Sequence, residues 1–277
     1  MSQKTIIKTI GLTVNFFGFF NSRFAGKIAF YLFAKPRKGK PSAKQNEFLE
    51  TSEKEDIENT PHNIPIYIWN KSGIKTILLI HGWESNSARW KPLIEKLINS
   101  NYKIIAIDAP AHGRSNYHTF NAILYAQHIV KAIKHYSPYC IIGHSVGGMA
   151  SVLALNSHTD HGIQRMILMG TPNKFEDIIT TYTSMLSFSS KVKKGLNNYI
   201  LKRFGQYPKG FYTAKFTENI SIESLLIHDQ KDKVIPFSDL SPIERGLKNS
   251  KSYATTGLGH KLKHEKVWKI CLEFLEN

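Results

Sequence analysis

The chain has 277 residues, of which 42% are hydrophobic and 21% are charged. These proportions are typical of a folded globular protein and exclude a chain that is disordered throughout. The length suits one α/β domain with an additional segment and does not require a second domain. Cys140 and Cys271 both fall in apolar runs, so the sequence predicts buried free thiols, no disulfide framework, and a reducing, cytoplasmic location.

The formal net charge of +16 comes mainly from two segments. Residues 1–46 contain nine basic and no acidic residues, and residues 178–217 contain seven basic and no acidic residues. Such segments are attracted to anionic lipid, nucleic acid or an anionic substrate, although crowded lysines also favour solubility. No nucleic-acid-binding motif of known mechanism accompanies the charge, and we expect no nucleic-acid partner.

Apolar residues recur every three or four positions near the N-terminus, which predicts an amphipathic helix or helix pair. These residues are Ile6, Ile10, Val14, Phe17, Phe20, Phe24, Ile28 and Tyr31. No apolar run reaches the roughly 18–20 residues that span a bilayer, and we expect no signal peptide. Two interpretations stay open: an arm packed on the main domain, or a basic segment within residues 1–46 that contacts the inner face of a membrane peripherally.

Residues 35–63 are polar and contain Pro36, Pro41 and Pro61, which predicts a linker with one short helix. We therefore expect residues 1–63 to form the arm and linker and residues 64–277 to form the main domain. Strands are predicted at Ile64–Trp69, Thr76–His81, Lys103–Asp108, Tyr139–Gly143, Arg165–Gly170, Ser224–His228 and Ser252–Thr256. Helices are predicted between most of them, including Ala88–Asn99, Thr119–Tyr136 and Leu262–Leu275.

This alternation of strands and helices is typical of the α/β class, with a mostly parallel, twisted sheet covered by helices on both faces. The alternation fails at about residues 172–216, where the sequence is polar, basic and aromatic. We expect this insertion to be a lid over the carboxyl edge of the sheet. Its aromatic side chains indicate either an apolar acyl pocket, suited to short or medium acyl chains, or packing within the lid itself.

The strongest motif is G-H-S-V-G at residues 143–147, between an apolar run and a small-residue helical pattern. A serine at such a turn has a strained backbone, and side chains in place of the glycines would collide with neighbouring strands. The turn raises the hydroxyl above the sheet, towards helix amides that favour the negative charge developing in acyl transfer. The motif therefore predicts Ser145 as a nucleophile.

A nucleophilic serine needs a base that a third group orients, and at a turn of this kind the chain order is serine, acid, histidine. A predicted strand runs into a loop that contains Asp229 and Asp232, and a later strand ends in a turn with His260. Both loops follow the carboxyl ends of strands, where ligands bind in open α/β sheets. Either aspartate fits the role of the acid on this reasoning.

Two other histidines compete for the role of base. His264 is predicted to be a solvated residue of the following helix, and His228 to pack or hydrogen-bond inside its strand. For the oxyanion hole we predict the backbone amides of Trp83 and Val146 as donors. Gly82 and His144 beside them are predicted to bind substrate. His81 is interpreted as support for this loop.

These residues resemble the α/β-hydrolase superfamily, especially its esterase, lipase and thioesterase-like branch. The resemblance covers about residues 64–277. It rests on H-G-W at 81–83, D-A-P-A-H-G-R-S at 108–115, G-H-S-V-G-G at 143–148, and Asp232 with G-H at 259–260. In the second segment Ala111 replaces a glycine, and Asp108 belongs to a structural turn. The family's acid precedes an aliphatic pair and a proline, which assigns the role to Asp232 and leaves Asp229 as the fallback.

The resemblance implies the α/β-hydrolase fold and hydrolysis of a small-molecule carboxylic ester or thioester through an acyl-enzyme. Ser145 is then the nucleophile, His260 the general base and Asp232 the group that orients it, with no cofactor and no metal. Serine at the turn argues against the dehalogenase and epoxide-hydrolase branches. The alternatives are an inactive module that binds an acidic membrane surface and an acyltransferase. The sequence leaves the oligomeric state open.

Overall fold

A computed structural model describes residues 2–56 and 63–276. They form two compact units, which we call the helical unit (residues 2–35 and 174–212) and the sheet unit (residues 36–56, 63–173 and 213–276). Residues 36–56, which are predicted to be part of the linker between the arm and the main domain, thus belong to the sheet unit. Residues 57–62 of the predicted linker, which include Pro61, lie outside the described residues. The lid role and the domain boundaries stay predictions.

The described part of the sheet unit contains a sheet of eight strands. In chain order these are β1 (Glu53–Glu55), β2 (Ile66–Trp69), β3 (Lys75–Ile80), β4 (Tyr102–Ile107), β5 (Cys140–His144), β6 (Arg165–Met169), β7 (Glu223–Asp229) and β8 (Ser250–Thr255). Their order across the sheet is β1-β2-β4-β3-β5-β6-β7-β8. β2 pairs antiparallel with β1 and β4, and every other pair is parallel. The predicted mostly parallel sheet is confirmed.

The helices follow the predicted pattern with shifted ends. In chain order they are α1 (Gln3–Phe20), α2 (Ser22–Ala34), α3 (Ala43–Leu49), α4 (Lys91–Asn99), α5 (Ala122–Tyr136), α6 (Val146–Ser157), α7 (Phe175–Met185), α8 (Ser190–Phe204), α9 (Thr213–Thr217), α10 (Leu240–Gly246) and α11 (Glu265–Glu276). α5 begins three residues later than predicted, because the Asn121 side chain caps it by accepting from the amide of Leu124 at 2.8 Å.

Helices cover both faces of the sheet, as predicted. Side chains of β3 alternate between two apolar clusters: Leu78 and Ile80 pack with residues of α5, α6 and α10, whereas Ile77 and Leu79 pack with residues of α3, α4 and α11. All four are fully buried, and each such side chain contributes about 1.5–3 kcal/mol to stability. Because both faces of these strands are buried, the strands occur in the sequence as nearly continuous hydrophobic runs.

In the helical unit, α1 and α2 are the predicted helix pair. α2 lies close to α8, since a Cβ added to Gly26 would come within 2.2 Å of the backbone of Gly195. α1 is joined to the segment after α7 by two hydrogen bonds of Asn15, to the carbonyl of Ser187 at 2.9 Å and from the amide of Ser189 at 2.8 Å. No helix within residues 2–56 and 63–276 has both the length and the apolar character needed to cross a bilayer.

Candidate active site

The tight turn between β5 and α6 carries Ser145. Its φ of 55° and ψ of −130° lie outside the regions favoured by residues with a side chain, at a cost of about 1–3 kcal/mol. The glycines around it allow close backbone approaches. A Cβ on Gly143 would lie 2.6 Å from the Cα of Gly148, and one on Gly147 would lie 2.4 Å from the carbonyl oxygen of His81. The motif therefore folds as a strand–turn–helix element that presents the serine.

Three predicted residues meet at the carboxyl ends of the strands. The Nε2 atom of His260 lies 3.0 Å from the Oγ atom of Ser145, and its Nδ1 atom lies 2.7 Å from the Oδ2 atom of Asp232. The side chain of Asp232 is fully buried, and that of His260 is 16% exposed. The imidazole therefore connects a buried carboxylate with the serine hydroxyl, in an arrangement that can move a proton away from the hydroxyl.

The carboxylate of Asp232 has donors on both oxygens. Its Oδ1 atom accepts from the amides of Val234 at 2.8 Å and Ile235 at 3.0 Å. Its Oδ2 atom lies near the ring nitrogens of His260 and, at 3.4 Å, His228. Burial raises the pKa of Asp232, but these hydrogen bonds outweigh burial and bring the pKa well below its usual range. The group is therefore a fixed negative charge beside His260.

Asp229, the fallback acid, has a different role. Its carboxylate accepts from the hydroxyl of Thr255 at 2.8 Å and from the amides of Leu258 at 2.9 Å and Lys231 at 2.9 Å. It is fully buried and links the end of β7 to the end of β8. Its contacts support the loop that carries His260, and the structure brings Asp232 rather than Asp229 to that imidazole.

The two competing histidines lie where the sequence places them or close to it. His228 is buried in β7, and its Nε2 atom lies 3.1 Å from the carbonyl oxygen of Ile235. His264 is exposed, as predicted, but precedes α11 instead of lying within it, and its Nδ1 atom accepts from the amide of Lys266 at 3.2 Å. The predicted helix start at Leu262 is wrong because Leu262 has a left-handed φ of 50°.

Two buried side chains hold the backbone of the His260 loop. His144 donates from Nε2 to the carbonyl oxygen of His260 at 2.8 Å. Arg89 donates from Nη2 to the carbonyl oxygen of Lys261 at 3.0 Å. Burial, together with the charges of Arg89 and His260, holds the pKa of His144 well below its usual value, so its ring is neutral. The substrate contact predicted for His144 stays a prediction, whereas its contact with the loop is observed.

Arg89 was not among the predicted site residues. It is 3% exposed, its guanidinium lies 4.4 Å from the ring centroid of Trp90, and within the described chain no carboxylate lies at ion-pairing distance from it. Burial lowers its pKa to about 9. The sequence does not indicate that Arg89 supports the His260 loop, because a single arginine in an amphipathic segment usually faces solvent.

The loop after β3 lies against the nucleophile. A Cβ on Gly82 would lie 2.8 Å from the Cβ of Ser145, so only glycine fits there without displacement. His81 holds this loop: its Nδ1 donates to the carbonyl of Gly82 at 2.8 Å and its Nε2 accepts from the amide of Ala109 at 2.9 Å. Burial lowers the pKa of His81 to about 3, so the ring is neutral, as accepting at Nε2 requires.

The predicted oxyanion donors occupy two different elements. Trp83 directly follows Gly82. The backbone amide of the next residue, Glu84, donates to Nε2 of His112 at 2.9 Å, and this bond also holds the loop. Val146 is the first residue of α6, and its amide is therefore among those with no partner inside the helix. The helix dipole adds positive potential at this position. Val146 directly follows Ser145, and Trp83 directly follows Gly82, which lies against Ser145. The role of the two amides as donors stays a prediction.

The turn that contains Asp108 is structural, as predicted from the sequence. Its carboxylate accepts from the hydroxyls of Tyr67 at 2.9 Å and Ser87 at 2.8 Å and from the amide of Arg114 at 2.8 Å. Ala111, which replaces the family's glycine, has a left-handed φ of 64°. Among the residues that the structure describes, no group of three or more His, Cys, Asp or Glu side chains is arranged to hold a metal.

Comparison with known proteins finds one matching family model. A model described as "alpha/beta hydrolase fold" matches residues 75–199. The chain is 28% identical to a "Serine hydrolase-like protein" of Danio rerio over 61% of this chain and 52% of that protein. It is 20% identical to the "AB hydrolase superfamily protein YisY" of Bacillus subtilis over 76% of this chain and 94% of that protein.

A "Pimeloyl-[acyl-carrier protein] methyl ester esterase" of Aliivibrio salmonicida is 23% identical over 54% of this chain and 51% of that protein. The chain thus spans about half the length of two of these relatives. Among solved structures, a bromoperoxidase from Bacillus anthracis superposes with a TM-score of 0.63 at 19% identity, over 82% of this chain and 100% of that one. A thioesterase domain from the curacin biosynthetic pathway gives 0.60 at 17% identity, over 81% and 99%.

Proposed function

Because this chain belongs to the α/β-hydrolase superfamily, we propose that it is a serine hydrolase that cleaves a carboxylic ester or thioester through an acyl-enzyme intermediate. The observation that carries the proposal is the hydrogen-bonded series Asp232–His260–Ser145, with distances of 2.7 and 3.0 Å. Acyl transfer needs a nucleophilic hydroxyl, an imidazole that accepts its proton, and a carboxylate that orients the imidazole. These three groups are in hydrogen-bond contact at the carboxyl edge of the sheet.

The hydroxyl of Ser145 attacks the substrate carbonyl while Nε2 of His260 takes the hydroxyl proton. The proton then passes to the leaving alcohol or thiol as the carbonyl–heteroatom bond breaks, which leaves an acylated serine. Water attacks this ester with His260 again as the base, and the acid product and free serine result. Asp232 stays ionised throughout, because its hydrogen bonds keep its pKa low, and it stabilises the imidazolium that forms in each step.

The negative oxygen of each tetrahedral intermediate needs donors beside the serine. We assign this role to the amides of Trp83 and Val146, and we assign Gly82 to the wall of the acyl site. The contact between Gly82 and the serine turn supports this assignment, since it holds the first loop within reach of the reacting carbon. In enzymes of this kind the loss of one such donor slows turnover by about 100–1,000-fold.

Small esters and thioesters are the proposed substrates, with short to medium acyl chains. The relative named as a methyl ester esterase and the structural neighbour named as a thioesterase support this class. A panel of p-nitrophenyl esters of increasing chain length, together with acyl-CoA thioesters, measures the preference. Cleavage of long chains alone would contradict the proposal on chain length.

A fluorophosphonate probe, which reacts with activated serines, tests the nucleophile directly. The wild type should be labelled and Ser145→Ala should not. Ser157→Ala is the matched control, because Ser157 is an exposed serine at the end of the same helix and should keep full labelling. Labelling of folded Ser145→Ala at the wild-type rate would exclude this nucleophile.

Turnover separates the alternatives that share the same fold. A hydrolase releases acid from the ester panel in water alone. An acyltransferase is labelled by the probe and is acylated once by the ester. It transfers the acyl group only when an acceptor alcohol or amine is added. An inactive module gives neither labelling nor turnover in a folded sample.

A further inference from the structure

Helix α1 has an unusual apolar face that is exposed to solvent. Leu12, Phe16, Phe19 and Phe20 are 61%, 63%, 69% and 72% exposed, and we call these four residues the phenylalanine face. They fall on one side of the helix, because they follow at intervals of three and four residues. Single exposed apolar residues are ordinary, but a contiguous cluster indicates a surface that binds another body.

The opposite side of α1 already serves the core of the helical unit. A Cβ on Gly11 would lie 2.1 Å from the carbonyl oxygen of Leu186, and one on Gly18 would lie 2.5 Å from the side chain of Val192. Val14 between them is 2% exposed. The helix therefore cannot turn to bury the phenylalanine face without breaking these contacts. The apolar character of that face is not explained by packing within the unit.

Positive charge surrounds the phenylalanine face. Lys4 and Lys8 continue its stripe towards the N-terminus at spacings of four residues, and both are exposed. Lys191 of α8 lies 4.7 Å from the ring centroid of Phe19. The helical unit as a whole has twelve basic and two acidic residues, so it supplies ten of the sixteen net positive charges of the chain.

We propose that the phenylalanine face and the basic residues around it bind peripherally to an anionic phospholipid bilayer. Exposed phenylalanine and leucine side chains insert into the boundary between headgroups and acyl chains, and neighbouring lysines pair with lipid phosphates. α1 lies along the bilayer surface, since no helix in the described chain can cross it. If the proposed function holds, membrane binding raises the local concentration of ester substrates that partition into membranes. The phenylalanine face includes none of the three residues of the proposed triad, which all belong to the sheet unit.

A lipid surface fits these observations better than a second copy of the chain. Self-association through the phenylalanine face would bring two units of net charge about +10 into contact, which like-charge repulsion opposes. An anionic bilayer instead gains from every one of these charges, and it accepts aromatic rings without requiring a matched pocket. The same charge would attract nucleic acid, and the experiment below includes that outcome.

Vesicle sedimentation tests the proposal with the full-length chain. The probes are vesicles of pure phosphatidylcholine and vesicles of equal parts phosphatidylcholine and phosphatidylglycerol. We expect binding to the anionic vesicles at least about tenfold tighter than to the neutral ones, and a several-fold loss when salt rises from about 0.1 to 0.5 M. The triple variant Phe16→Ser/Phe19→Ser/Phe20→Ser should bind at least about 100-fold more weakly.

Matched controls separate the surface from general effects. Ile74→Ser removes an apolar side chain that is 75% exposed in the sheet unit, and it should bind like the wild type. Lys251→Gln removes an exposed charge of β8 and should change binding far less than Lys8→Gln does. The circular dichroism spectrum of the triple variant should match that of the wild type, which shows that the variant is folded and keeps this test independent of the proposed chemistry.

Three results would overturn the proposal. The first is equal binding of the wild type and the triple variant to anionic vesicles. The second is dimerisation of the wild type, detected by light scattering, that the triple variant abolishes while neither protein binds vesicles. The third is phenylalanine-dependent binding to single-stranded DNA in fluorescence anisotropy without vesicle binding.

Discussion

Substitution of Asp232 by asparagine tests the acid of the proposed triad, a role for which Asp229 is the alternative in the sequence. The Oδ1 atom of Asp232 accepts two backbone amides at 2.8 and 3.0 Å. In Asp232→Asn these amides hold the carboxamide oxygen in the same place, so the new NH₂ group replaces Oδ2, 2.7 Å from Nδ1 of His260. Nδ1 must then accept, and the ring proton moves to Nε2, where it faces Ser145.

A histidine with its proton on Nε2 cannot take the proton of the serine. The variant also lacks the negative charge that stabilises the imidazolium. Loss of both effects in a triad of this kind lowers kcat by about 10³–10⁴-fold, which corresponds to about 4–5.5 kcal/mol of transition-state stabilisation. Binding of the substrate does not use the carboxylate, so KM should change by less than about threefold.

Initial rates of p-nitrophenyl acetate hydrolysis measure this loss, and circular dichroism checks that each variant is folded. Asp229→Asn is the matched comparison. It disturbs the bonds to Thr255, Leu258 and Lys231 and should lower the free energy of unfolding by about 1–3 kcal/mol. Per folded molecule it should remain at least about 100-fold more active than Asp232→Asn. Full activity of Asp232→Asn, with a folded but inactive Asp229→Asn, would refute the assignment.

Three further predictions concern the loops around the site. Ala111→Gly should leave the free energy of unfolding within about 1 kcal/mol of the wild type, because relief of the left-handed φ of 64° offsets the lost methyl group and the added chain entropy. Ala109→Gly is the matched comparison, because it loses a buried methyl group without such relief. Thermal unfolding should show that it lowers the free energy of unfolding by about 1–2 kcal/mol. Equal losses in the two variants would show that Ala111 is not strained. Gly82→Ala should lower kcat/KM for a p-nitrophenyl ester at least about 100-fold, since its Cβ displaces the serine turn, and activity within tenfold would argue against this contact. The buried His81 and His112, with pKa values of about 3 and 4, take up protons on unfolding below their ordinary pKa of about 6.5. Their contribution to stability is complete above that pH and is lost towards pH 4. For the pair, the free energy of unfolding falls by up to about 2.7 kcal/mol per pH unit. Urea titrations at several pH values measure this slope, and a free energy of unfolding that does not change with pH in this range would contradict the prediction.

Much of the sheet unit was predictable from local patterns. Buried parallel strands give short apolar runs whatever their partners are, so seven of the eight strands were located to within a few residues. β1 was missed because Glu53–Glu55 is charged and only three residues long, and it is a strand through its pairing with β2. The G-x-S-x-G turn was predictable because its glycines are required by contacts within a few ångströms.

The sequence alone does not show which distant segments pack together. Residues 2–35 and 174–212 share a core, in which Tyr182 donates to the carbonyl of Ala29 at 2.8 Å. Helical periodicity reveals that each segment has an apolar face but not which face it meets. The exposed side of α1 illustrates the same limit. Phe20 belongs to the periodic apolar series, and its spacing fits a packed and an unpacked face equally well, yet its side chain is 72% exposed.

The geometry of the triad depends on buried groups that do not themselves react. His144 is adjacent to Ser145 in the chain, and it bonds to the carbonyl of His260, so the nucleophile and the base are joined through the backbone as well as through their side chains. Arg89 fixes the next carbonyl, that of Lys261, although a buried guanidinium without a carboxylate is costly to desolvate. Two carbonyls of one loop are thus held by side chains from two other segments. The bonds from His144 and Arg89 therefore help to set the distance of 3.0 Å between the imidazole and the hydroxyl. Sequence motifs identify the reacting residues but do not reveal these supporting contacts.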